Sequence, residues 1–189
     1  MARIRLAQIV ARPYNAVAAG RGFMDGRGTA LYAASLDPIH YGHINIALRA
    51  SRFFDHLIVA IYANPQSKRL LFDVEERVAL AGELFQKYPA ISVASYSMLT
   101  VEYARSVGAI ALVRGLRVFG DFEFEFRMGM ANKKLAPELE TIAIMSDEKY
   151  MHISSSTIRE IAQLGGDVSS MVPPSIANAL REKCNRTNP

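Results

Sequence analysis

From residue 29 onward, short apolar runs alternate with stretches of helical spacing. TALYAA (29–34), HLIVAIY (56–62), AIALV (109–113) and TIAIM (141–145) are continuous runs of the kind that strands buried on both faces require, and 91–94 is a weaker fifth. Between the first two runs, residues 42–54 carry Ile44, Ile46, Leu48, Ala50 and Phe53, a wide apolar face suited to a helix packed on a sheet. Asp73 with Glu76 three residues on has the pattern of a capping box and predicts a helix to about residue 87. A helix over 99–107 is closed by Gly108, and one over 121–134 stops before Pro137. Another over 154–164 ends at Gly165 and Gly166, and Pro173 with Pro174 opens a last one to about residue 183. Strand and helix alternate throughout, which predicts an α/β fold with a parallel sheet covered by helices on both faces.

In such sheets ligands sit beyond the carboxyl ends of the strands, where the strand order reverses. The residues that follow the strands are therefore the candidates: Ser35 and His43, the loop 64–68 with Lys68, 114–117, and 150–156. They place Arg114, Arg117, Lys68, His43 and the serines at 154–156 on one rim, a set suited to phosphates.

Each motif has competing readings. SLDPIHYGH (35–43) puts His40 and His43 near a helix start, whose N–H groups attract anions, with Gly42 leaving room for close approach. The same spacing could hold a metal, or His40 could bond its own loop backbone. RGLR (114–117) offers two guanidinium forks for phosphate, or a solvated turn. In DFEFEF (121–126) the alternation suggests an exposed strand, but its position favours a helix with Phe122 and Phe126 on one face and acids free to bind a ribose or hold the arginines. ISSSTIRE (153–160) sets three serines at a helix start, one of them a natural N-cap and the others a second anion site.

Composition narrows the class. A chain of 189 residues, 50% hydrophobic and 21% charged, fits one globular domain. Its one cysteine, Cys184, cannot form an internal disulfide, which suits a reducing compartment. No apolar run approaches the roughly 18–20 residues that span a bilayer. The net charge of +4 suits an anionic small molecule as well as a polynucleotide. Residues 1–28 stand apart, with five arginines, one acid and four glycines in the second half. They are expected to be a poorly ordered extension or the product of an upstream start, with an organelle transit peptide as the other reading.

Taken together, SLDPIHYGH, SKRLLFDVEERV, ALVRGLRVFGDFEFEF, MANKKLAPELET, YMHISSSTIREIAQLGGDV and VPP resemble the phosphopantetheine adenylyltransferases, over about residues 29–183. The resemblance implies a Rossmann-like nucleotidylyltransferase domain, here 29–185, with a doubly wound five-stranded parallel sheet. It implies a cytoplasmic homohexamer that uses Mg2+ and converts ATP and 4′-phosphopantetheine to dephospho-coenzyme A and pyrophosphate. It assigns His43 to transition-state stabilisation and Ser35 to contact with both substrates. Lys68 and Arg114 match binders of the phosphopantetheine phosphate, and Thr100 a contact of the pantetheine arm. Leu36, Gly115, Leu116, Arg117 and Glu125 match the ATP-binding run, as do Tyr150, Met151, His152, Ile153, Ser154, Ser155 and Ser156. No protein-held metal site, membrane partner or nucleic-acid partner is expected.

Three departures from the family pattern stand out: Ala33–Ala34 in place of proline–glycine, Leu36 in place of phenylalanine, and a loop 65–72 one residue longer. Ala33–Ala34 leaves open a non-catalytic nucleotide-binding paralogue with a closed phosphate site, and a sister enzyme with another phosphate acceptor is a further alternative, against which SKRLLF and YMHISSS speak. A nucleic-acid module built on the basic extension is a third class, but the extension lacks the interleaved aromatics of a stacking platform.

Overall fold

The apolar runs at 29–34, 56–62 and 109–113 form the middle of one sheet because they bury both faces, whereas the run at 141–145, expected to be buried in the same way, lies on an edge and is mostly exposed. A computed structural model describes residues 26–65 and 69–187. Its strands are β1 (Thr29–Ala34), β2 (His56–Tyr62), β3 (Ile91–Tyr96), β4 (Ala109–Leu116) and β5 (Glu140–Met145). They lie in the order β3-β2-β1-β4-β5, with every neighbouring pair parallel. The helices are α1 (Tyr41–Ala50), α2 (Val74–Phe85), α3 (Thr100–Ser106), α4 (Phe119–Leu135), α5 (Ser155–Gln163) and α6 (Pro174–Thr187). The fold is α/β and Rossmann-like, as expected.

Alternate residues of the central strands face opposite layers, as the period of two demands. On one face Tyr32, Val59, Ile61 and Val113 pack with Ile46 of α1, Phe85 of α2, Ile158 of α5 and Leu180 of α6. On the other, Leu31, Ile58, Ala60 and Leu112 pack with Val101 and Ala104 of α3 and with Leu139. Each large side chain buried in this way contributes about 1.5–3 kcal/mol. The chain winds outward from β1 to β3 and then crosses back to β4, so the switch point lies between β1 and β4.

Several elements depart from the sequence pattern: β3 runs on to Tyr96, α4 begins at Phe119 and α6 extends to Thr187. β4 continues through Arg114, Gly115 and Leu116, which pair with Ala143, Ile144 and Met145. The hydrophobic pattern ends at Arg114, but the backbone ladder does not. Gly115 allows it, since a Cβ there would stand 3.1 Å from Ile46 of α1. The first helix ends at Ala50, with Ser51 as its C-cap, rather than at 54. A 3₁₀ turn, Glu148–Tyr150, precedes α5 without a clear sequence signal.

α4 has no buried residue, and Phe119, Phe122, Phe124, Phe126, Met128 and Met130 are all exposed. The edge strand β5 is open to solvent along most of its length. The expectation for residues 1–28 lies outside the described residues except at 26–28, where Gly28 N–H donates to Asp55 Oδ2 and Arg27 to the Arg52 carbonyl.

Candidate active site

β1 delivers the chain to the switch point, and the loop 35–40 turns there into α1. Leu36 takes φ +49°, the left-handed region that a bulky residue rarely enters. Its side chain is buried, so an ATP contact at this position falls to its backbone. Among the described residues it is the one non-glycine with positive φ, and Ala34 has an ordinary strand conformation. The loop is held from several sides. The buried carboxylate of Asp37 accepts the amides of Leu71 and Phe72 at 2.8 and 2.9 Å. Arg159 of α5 donates to the Asp37 carbonyl and lies 3.4 Å from its Oδ2. Ser155 Oγ donates to the Pro38 carbonyl at 3.0 Å. Arg77 of α2 donates to the Ser35 carbonyl at 2.8 Å.

His40 is the N-cap of α1. Its Nδ1 accepts the amides of Gly42 and His43, while the His40 amide donates to His43 Nδ1 at 3.3 Å. This is a capping box made of two histidines. Burial, reinforced by Arg117, pushes the His40 imidazole down to about 3, so it is neutral and able to accept. Gly42 makes room for that ring, because a Cβ would stand 2.9 Å from it. The sequence reading instead gave the space to a ligand. The Tyr41 amide donates to Met171, those of Gly42 and His43 to His40 Nδ1, and that of Ile44 to the His40 carbonyl. The first turn of α1 therefore has its amides committed within the protein, and an anion there meets the His43 side chain and the helix dipole rather than free N–H groups.

The arginines leave β4 with acids from α4 beside them. Arg114 forms a bidentate pair with Glu125, both bonds 2.6 Å, and donates to the Ala33 carbonyl. Burial works against its charge, but the Glu125 pair outweighs it and holds the guanidinium above the usual arginine range. Arg117 pairs with Asp121 and donates to the Ile153 carbonyl at 2.6 Å. Each guanidinium keeps two N–H groups beyond these bonds. Asp121 and Glu125 of DFEFEF thus hold the two arginines, Glu123 lies on the exposed side 3.6 Å from Arg127, and Phe122 and Phe126 stack outward with centroids 5.9 Å apart.

Ser154 is the N-cap of α5, with Oγ accepting the Thr157 amide at 3.1 Å and lying 3.0 Å from Ser156 Oγ. Ile153 is buried, Tyr150 is half-buried, and Met151 and His152 are exposed. Thr100 opens α3, its hydroxyl 2.9 Å from Tyr96 Oη. Lys68 lies outside the described residues. Among the described residues no group of three His, Cys, Asp or Glu side chains is placed to hold a metal ion.

Ser35, His43, Arg114, Gly115, Leu116, Arg117, Glu125 and residues 150–156 thus come from four loops and strand ends to one rim. The sequence reading held Asp37, Arg77 and Arg159 only inside quoted motifs and gave none of them a role. A charge on the apolar stripe of α2, where Arg77 precedes Ala81 and Phe85 at i+4 and i+8, was the available signal for Arg77.

The cytidylyltransferase-like family model matches residues 31–161. A phosphopantetheine adenylyltransferase of Roseiflexus sp. (strain RS-1) is 49% identical over 157 residues, covering 83% of this chain and 98% of the relative. One of Herpetosiphon aurantiacus is 50% identical over 153 residues, 81% of this chain and 92% of the relative. A solved structure named as a candidate nicotinate-nucleotide adenylyltransferase of Vibrio parahaemolyticus superposes with a TM-score of 0.62 at 18% identity, over 82% of this chain and 98% of its own. That likeness shows the fold.

Proposed function

Because the chain belongs to the phosphopantetheine adenylyltransferases, we propose that this rim transfers the adenylyl group of ATP to 4′-phosphopantetheine. A 4′-phosphate oxygen bonds to the α-phosphorus, the bond from that phosphorus to the β-phosphate bridge breaks in line, and pyrophosphate leaves with its electron pair. The products are dephospho-coenzyme A and pyrophosphate. No protein nucleophile is needed. The protein orients two polyanions and meets charge as it develops.

The observation that carries this reading is the bond from Arg117 to the Ile153 carbonyl, which joins the end of β4 to the serine start of α5 across the switch point. It supports placing the triphosphate between Arg117 and Ser154, Ser155 and Ser156, with the adenine side along 150–153. His43 accepts at Nδ1, so its neutral ring carries the proton on Nε2, which is the donor to the α-phosphate in the transition state. Arg114, braced by Glu125, turns its remaining N–H groups to the attacking phosphate, and the family match gives Lys68 to the same phosphate. Ser35 touches both substrates, and Thr100 meets the pantetheine arm. Magnesium arrives on the ATP as part of the substrate, held by phosphate oxygens.

Two broader assignments belong to the same reading. The exposed apolar residues of α4 and the open edge of β5, where Met145 is 75% exposed, support assembly into a homohexamer. Light scattering of the protein and of Phe126→Glu is the check: a hexameric mass falling to that of smaller species supports it, and a monomeric wild-type mass refutes it. The enzyme acts in the cytoplasm, where a lone thiol such as Cys184 stays reduced. Among the described residues no helix is long and apolar enough to cross a membrane.

The function is tested by pyrophosphate release from MgATP with phosphopantetheine or nicotinate mononucleotide as acceptor. Release with phosphopantetheine alone is expected. Release with the other acceptor alone would assign a sister activity.

A further inference from the structure

Among the described residues Arg77 is the largest fully buried side chain, 1% exposed, and it lies on the apolar face of α2. Its Nε donates to the Asp73 carbonyl at 3.2 Å and its Nη1 to Ser35 and Tyr62 at 2.8 and 2.9 Å. Its Nη2 donates to Ala63 at 2.9 Å. All four acceptors are backbone carbonyls. Among the described residues no carboxylate lies within ion-pair distance of the guanidinium, which makes it unlike Arg114, Arg117 and Arg159. Burial lowers its affinity for its proton, and Asp37, Asp73 and Glu75 pull the other way.

A buried charge without a paired carboxylate is costly, and an apolar residue at this point of the α2 stripe would avoid the cost. What the guanidinium does that an apolar side chain cannot is join three pieces of chain. Ser35 follows β1, Tyr62 and Ala63 end β2, and Asp73 caps α2. These are neighbouring strand ends on the substrate rim. A planar fork with five donors can bond carbonyls in several directions at once, which an ammonium cannot.

We propose that Arg77 is a positioning residue for adenylyl transfer: by tying the carbonyls of Ser35, Tyr62, Ala63 and Asp73 to one guanidinium it fixes Ser35 against the acceptor side of the rim. It touches neither substrate and acts through the backbone of Ser35 and of the β2 end. Misplacing a reacting group by about 1 Å can cost roughly 10²-fold in rate, so the effect falls on alignment for attack more than on ATP binding. This rests on the transfer reaction set out above, which wild-type turnover in the same assay secures independently of any variant.

The test compares Arg77→Lys and Arg77→Met with the wild type in steady-state kinetics, well below each protein's melting midpoint. Lysine keeps the charge and can reach some of the carbonyls but cannot span all four. Expected for Arg77→Lys is a fall in kcat of about 10–100-fold, a raised KM for phosphopantetheine, and a KM for ATP within about twofold. Arg77→Met should be worse in kcat, with lysine a partial rescue. If methionine prevents folding, the lysine variant carries the test alone. A lysine variant that melts earlier but keeps wild-type kcat and both KM values would overturn the proposal and leave Arg77 a purely structural tie. A wild type that does not turn over phosphopantetheine would instead refute the assigned reaction.

Discussion

His40 and His43 cap one another across the first turn of α1, each ring nitrogen Nδ1 accepting the other residue's backbone N–H, with ring centroids 3.7 Å apart. The arrangement divides the work of the two histidines. His40 is buried and spends its lone pair on the helix start. His43 is oriented by the same box and has its proton placed on Nε2.

Changing His43→Ala should lower kcat by about 10²–10³, the usual loss of one preorganised donor to developing charge. The dissociation constant for ATP should move far less, because the contact strengthens mainly in the transition state. Single-turnover rates alongside ATP titration separate the two. A large loss of ATP affinity with little loss of rate would give His43 a binding role instead.

His40 leads to a prediction about stability and acid. Its folded form resists protonation down to about pH 3, while in the unfolded chain histidine titrates at its ordinary value. Between these limits the unfolded state binds the extra proton, so the contribution of His40 is complete at neutral pH and falls on acidification by about 1.4 kcal/mol per pH unit. Asparagine is a good N-cap that does not titrate. Denaturant melts at pH 7 and pH 5 should show the wild type losing about 2 kcal/mol more than His40→Asn over that interval. Equal losses would mean that His40 is not the neutral acceptor described here.

Glu125 braces Arg114 through two charged bonds of 2.6 Å. Glu125→Ala should cost about 1–3 kcal/mol of stability and raise KM for phosphopantetheine roughly tenfold, or about 1.4 kcal/mol. Melting curves and acceptor titrations check both. An unchanged acceptor KM would separate Arg114 from the acceptor phosphate.

Ala34 stands where the family pattern has glycine. It is the last residue of β1, pairs with Ile61 and has no positive φ; the left-handed residue is Leu36, two positions on. Restoring glycine by Ala34→Gly should therefore cost about 0.5–1 kcal/mol of stability and leave kcat within about threefold. An inactive parent that gains activity on this change would show that the alanine methyl blocks the phosphates.

Strands such as β1 and β2 were legible to the residue because both faces are buried, so the apolar run and the strand coincide. The far end of β4 was not, since Arg114 and Gly115 interrupt the apolar run while the ladder continues to Leu116, which only the position of β5 reveals. The α2 cap was read from Asp73 and Glu76, residue types that favour the task, whereas the α1 cap is a histidine, which sequence statistics do not suggest. Within the site, residues that follow strands could be located because the fold class dictates where ligands go. The ties among them join residues far apart in sequence, Arg159 to Asp37 across 122 positions and Arg77 to Ser35 across 42, and no local window contains such a pair.

Transfer to 4′-phosphopantetheine is expected to run directly and in line, without a protein nucleophile. Exchange of labelled pyrophosphate into ATP tests it most directly, because the label enters ATP only if an adenylyl group is available for pyrophosphate to attack. The protein with MgATP and labelled pyrophosphate alone should show no exchange, and adding dephospho-coenzyme A should start it. Exchange in the absence of dephospho-coenzyme A would reveal an adenylyl-enzyme and contradict the mechanism. No exchange in its presence would contradict the acceptor.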